Sequence, residues 1–148
     1  MVRFKNRYFV LEIRPNGMSE IQSYPIKDTD IYHAVVRFVE QIHGEFGAAA
    51  IRTGLNVKYC NQWTKVAIVR SRHGPHRLVG SALPFISFID NKQVRVHSLY
   101  TGATLIKCFL FLKKYQQGKI MQVLQNCKND EEKRLISSNL SNIRCGKE

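Results

Sequence analysis

Residues 7–14, RYFVLEIR, alternate apolar and polar in steps of two, which puts Phe9, Leu11 and Ile13 on one face of a strand. The connection from Pro15 to Lys27 is polar, contains Pro and Gly, and predicts no regular element. The period then changes. Either Asp28 or Asp30 can cap a helix whose apolar stripe is Ile31, Val35, Phe38, Val39, Ile42 and Phe46, with Gly44 and Gly47 ending it. Two β-rich runs, 55–60 and 64–71, flank Asn61, Gln62 and Trp63 and predict a hairpin with Leu55, Val57 and Tyr59 on one face.

From His76 to Ile89 the chain is mostly apolar, too long for one buried strand, and predicts a helix kinked by Pro84 and closed by Asp90 and Asn91. Leu78, Ala82, Phe85 and Ile89 make one stripe of it, and Val79, Leu83 and Ile86 make another. One stripe is enough to cover a sheet, so Val79, Leu83 and Ile86 are expected at a protein interface. Residues 94–100 predict a fourth strand, and Leu105, Phe109 and Leu112 mark a helix from about Thr104 to Gln116. Gly118 separates it from two further short helices, 120–126 and 130–142.

The order strand, helix, strand, strand, helix, strand, with added C-terminal helices, is the α+β sandwich of ferredoxin-like, RNA-recognition-motif-like domains. One such domain is expected over residues 1–142, with a basic arm at 1–7, C-terminal helices over 104–142 and a frayed tail at 143–148. The fold hosts nucleic-acid binders, enzymes and regulatory domains alike, so it decides no function by itself.

Charge narrows the choice. The chain carries a net +12, and between Glu45 and Asp130 its one acid, Asp90, faces thirteen basic residues. Local ion pairs cannot neutralise such a segment, so it exposes a positive field that suits a polyanion, nucleic acid first. The lysines are not gathered on one amphipathic helix and no run reaches the roughly eighteen apolar residues of a membrane span, so no membrane partner is expected. Cys60, Cys108, Cys127 and Cys145 form no close pair, which predicts reduced thiols inside the cell.

Two clusters are candidates for phosphate contact. Arg3, Lys5 and Arg7 alternate with Phe4, Asn6 and Tyr8, so an extended arm would present cations beside aromatic stacking partners. Arg70, Arg72, His73, His76 and Arg77 surround the turn into the second helix. The third-strand run TKVAIVRS lacks the aromatic pattern of an ordinary RNA-recognition motif, so RNA would be held by phosphate, shape and loops. No catalytic residue, metal ligand or cofactor is expected: there are no paired carboxylates in the acid-poor stretch, and a Gly-Pro separates His73 from the turn's second histidine.

Six colinear blocks add specificity: MVRFKNRY at the start, HGEFGAAA at 43–50, VKYCN at 57–61, AIVRSR at 67–72, SALPFI at 81–86 and QNC at 125–127. Together they resemble the eukaryotic Pop-five/Rpp-fourteen family of ribonuclease P and RNase MRP protein subunits. The resemblance implies a non-catalytic RNA-binding subunit, located in the nucleus and nucleolus, that stabilises the catalytic RNA. Ribonuclease P RNA removes the 5′ leader of precursor tRNA with magnesium held on the RNA, and RNase MRP acts in pre-rRNA processing. It also implies partners: both RNAs, an Rpp-thirty-like subunit with which family members form heterotetramers, and other ribonuclease P proteins. The matching residues Arg3, Phe4, Lys5, Asn6, Arg7 and Tyr8 inherit the RNA contact most directly. Many relatives end in an acidic tail that ISSNLSNIRCGKE does not match, and the 15–30 connection also differs, so neither carries a family role here. The competing readings are a stand-alone basic RNA-binding module and a small histidine-dependent RNA hydrolase.

Overall fold

The computed structural model describes residues 3–18, 22–126, 131 and 134. Its elements are β1 (Asn6–Pro15), α1 (Asp28–Arg52), β2 (Asn56–Asn61), β3 (Val66–Arg72), α2 (His76–Ala82), β4 (Phe88–Ile89), β5 (Lys92–Gly102) and α3 (Leu105–Asn126). The strands form one antiparallel sheet in the order β2-β3-β1-β5-β4, which is ferredoxin-like with a short hairpin partner added at one edge. The chain divides into two compact units, 1–109 and 110–148. In the second, α3 stacks the rings of Phe111 and Tyr115 with centroids 6.1 Å apart. Of the helix expected at 130–142 only Glu131 and Arg134 are described, both helical and exposed, and the tail, Cys127 and Cys145 lie outside the described residues.

β1 runs through the middle of the sheet, paired to β3 from Asn6↔Arg72 to Glu12↔Val66 and to β5 on its other side. The alternation read from the sequence holds: Phe9, Leu11 and Ile13 join Ala67 and Val69 in the core beneath α1 and α2. The opposite face buries Val10, Ile68 and Cys108, the last from the first turns of α3. Burying apolar side chains on both faces is worth roughly 1.5–3 kcal/mol each, which makes β1 the most firmly held strand of the sheet.

Several boundaries differ from expectation for identifiable reasons. Lys27, not an aspartate, is the N-cap of α1, and its backbone N–H donates to Asp30 Oδ2 at 3.2 Å from within the first turn. Gly44 does interrupt the helix, at φ 74°, but the chain re-enters helical geometry and continues to Arg52. The interruption turns the apolar stripe: Ile31, Val35 and Val39 are buried before it, Ala48 and Ile51 after it, while Ile42 and Phe46 face solvent. In β2 a bulge between Val57 and Tyr59 puts these two residues on opposite faces, so Val57 packs on the core and Tyr59 meets Phe109 edge-on.

The segment 76–89 departs most. Pro84 has no N–H to continue the helix, so α2 stops at Ala82, a 3₁₀ turn covers Leu83–Phe85, and Phe88–Ile89 becomes β4. Asp90 and Asn91 both take positive φ, 48° and 60°, and turn β4 straight into β5. Val79, Leu83 and Ile86, expected at an interface, are instead buried in this chain's own core. The tighter 3₁₀ turn points Leu83 and Ile86 inward and leaves Phe85 and Phe88 as the exposed aromatics of the segment. α3 passes through Gly118 without a break, a cost of about 1 kcal/mol that a 22-residue helix absorbs.

Candidate nucleic-acid interface

The two basic clusters of the sequence are one surface. Strand pairing sets Asn6 opposite Arg72, Arg7 opposite Ser71 and Tyr8 opposite Arg70, and the His73 N–H extends the ladder by donating to the Lys5 carbonyl at 2.8 Å. Directly opposed residues share a face, so Asn6, Tyr8, Arg70 and Arg72 lie on the face of Val10 and Ile68. Arg7 projects on the α2 side, toward the turn that carries His73 and His76.

On the first side Phe4 is 76% exposed, with the Arg72 guanidinium 4.2 Å from its ring centroid. Nε of Arg70 is buried without a hydrogen-bond partner, as is Oγ of Ser71 on the opposite face. An open hollow of about 610 Å³ separates residues 4–8 from Ala103, Thr104, Leu105 and Ile106 at the start of α3. Those four were not among the sequence candidates. Gly102 ahead of an apolar helix was the available signal, but nothing in the sequence says that this turn faces the arm.

On the second side the His73 and His76 rings stack with centroids 5.0 Å apart, and the Gly74 N–H donates to His76 Nδ1 at 3.0 Å. Burial chiefly, then the charges of His73, Arg7 and Arg77, push the His76 imidazole below its ordinary value. The neutral ring is therefore the resting form at neutral pH. Among the described residues no three His, Cys, Asp or Glu side chains gather to hold a metal ion. Arg3 belongs to the described residues but lies before β1, exposed.

The nearest acid in β1, Glu12, sits at the far end of the strand, buried and bonded to Arg14 at 2.9 Å. The arm and the end of β3 thus gather Arg3, Lys5, Arg7, Arg70, Arg72 and His73 without a carboxylate among them. Such a surface binds polyanions through phosphate contacts that any sequence provides.

An antiparallel α+β sandwich with a basic strand end defines a class of small domain, and sequence comparison defines the family. The Rpp14/Pop5 family profile matches residues 7–113, and the chain belongs to that family. It is 37% identical over 139 residues to the zebrafish (Danio rerio) ribonuclease P/MRP protein subunit POP5, covering 90% of this chain and 81% of that protein. The human (Homo sapiens) protein of the same name is 33% identical over 152 residues, covering 95% and 88%. A chain in the cryo-EM structure of yeast ribonuclease MRP superposes with a TM-score of 0.51 at 16% identity, covering 83% of this chain and 97% of that one. This last likeness is one of fold.

Proposed function

We propose that this chain is a non-catalytic, RNA-binding protein subunit of ribonuclease P and of RNase MRP. The observation that carries the reading is the merging of the N-terminal arm with the end of β3 into one carboxylate-free basic surface, in a chain of the Rpp14/Pop5 family. Its relatives are named as subunits of both enzymes. In this role the cations hold the phosphates of the catalytic RNA, and magnesium belongs to that RNA. Arg3, Phe4, Lys5, Asn6, Arg7, Tyr8, Arg70, Arg72 and His73 make the contact. An Rpp-thirty-like subunit is the protein partner, in a nuclear and nucleolar particle.

A native pull-down of tagged chain with sequencing of the bound RNA tests this directly. Recovery of ribonuclease P and RNase MRP RNA with an Rpp-thirty-like protein supports it. Recovery of unrelated RNAs alone points to a stand-alone module, and magnesium-dependent cleavage of precursor tRNA by the RNA-free chain, lost on changing His73 or His76, overturns it.

A further inference from the structure

We infer that the free face of Phe4 is a stacking seat for one unpaired RNA base, an assignment that rests on the RNA-binding reading above and specifies what the surface takes. A large aromatic that is 76% exposed gains nothing for the fold where it stands. Yet its position is built. Arg72 lies over one face of the ring at 4.2 Å, and Arg72 itself is seated by Gly54. A Cβ at Gly54 would stand 2.6 Å from Arg72 Cγ and 3.1 Å from Cδ, so the arginine stem can run close along the backbone there only because residue 54 has no side chain. The chain from Gly54 to Arg72 to Phe4 fixes one ring face against a cation and leaves the other to solvent.

The hollow beside it has the right chemistry for a nucleotide. Phe4, Leu105 and Ile106 give it apolar walls, and Lys5, Asn6, Arg7 and Thr104 give it a polar, cationic rim. Ile106 is 73% exposed, a second apolar surface left uncovered on the far wall. An aromatic face takes a base of any identity, while the cations hold its phosphates. A base inside a duplex already stacks on both sides, so only one in a bulge, loop or overhang can occupy the seat.

Fluorescence anisotropy with the full chain decides the matter, using three labelled RNAs of equal length: a fully paired hairpin, the same hairpin with one bulged adenosine, and one with an abasic residue at the bulge. The bulged adenosine should bind about tenfold more tightly than the other two, the scale expected for stacking one base. Phe4→Leu should erase that difference, and Phe4→Trp should keep it. Gly54→Ala, which displaces Arg72, should erode it. Equal binding of the adenosine and abasic RNAs by wild type, or equal losses on all three RNAs with Phe4→Leu, overturns the seat while leaving RNA binding standing. Failure of wild type to bind any of the three overturns the RNA-binding reading and the seat with it.

Discussion

One end of the sheet is cationic and the other mixes charges. At one, the hollow beside residues 4–8 is lined by Lys5 and Arg7 and by no acid. At the other, a smaller hollow of about 240 Å³ between α1 and the β4–β5 turn mixes Asp30 and Asp90 with His33 and Arg37. Asp30 and Asp90 thus stand where cations also stand, and the arm's hollow has no acid to balance its cations. Net charge alone would not reveal this; its uneven distribution is what marks one end for a polyanion.

The largest effect expected at the basic end is loss of phosphate contacts. Changing Arg3, Lys5 and Arg7 together to Ala should lower the salt slope of RNA binding by roughly two to three units, at about 0.7–0.9 per contact, with an unchanged melting temperature. Changing His33 and Arg37 together at the mixed end should leave the slope alone. Equal slopes in both variants would erase the contrast between the ends.

Leu11→Ala is the converse, a change in the central strand between the two. Leu11 is 1% exposed, so the substitution should cost on the order of 2–5 kcal/mol in denaturant unfolding, while RNA affinity of the folded fraction stays unchanged. A melt like wild type would show that β1 does not anchor the sheet.

Proton linkage gives a smaller effect. The folded chain lowers the affinity of His76 for a proton, so its contribution to stability is intact above the ordinary value of 6.5 and declines as pH falls below it, where the unfolded chain takes the proton first. A phosphate beside the ring reverses the preference. If a phosphate lies near His76, RNA affinity should rise from pH 8 to pH 6, with a shallower rise in His76→Gln; identical profiles for the two proteins would show that His76 does not sense bound phosphate.

The smallest is a thiol at the acidic end. Burial first, then the carboxylates of Asp28 and Asp30, push Cys60 up to about 11. At pH 8 Cys60 in the native chain should be alkylated by iodoacetamide far more slowly than in the denatured chain, as read by site-resolved mass spectrometry. Comparable rates would mean that neither burial nor those carboxylates holds the thiol protonated.

Much of the fold was legible because alternation and helical period are local signals: Phe9, Leu11 and Ile13, or Ile31, Val35 and Val39, declare a face within a few residues. The misreadings came where two local signals competed. In 76–89 an apolar helical period ran past Pro84, and it hid the Asp90-Asn91 pair that makes a hairpin turn. The bulge beside Val57 shifted a face that strict alternation could not anticipate. The candidate site was legible as two basic clusters, Arg70, Arg72 and His73 among them, but not as residues that share one end of the sheet. The register that sets Asn6 against Arg72 joins residues 66 positions apart, and the turn at 103–106 reaches the same place from farther along the chain.

The bulge in β2 has a further consequence for how the sheet meets other chains. β2 is an edge strand, and its outward row of N–H and C=O groups is a template on which a second copy could add a strand. Two residues opposing one at Lys58 break the regular spacing of that row and put a charge on it, and the other edge is capped by a strand only two residues long. Both devices work against regular strand addition by a second copy, the bulge along β2 and the short β4 over the first residues of β5.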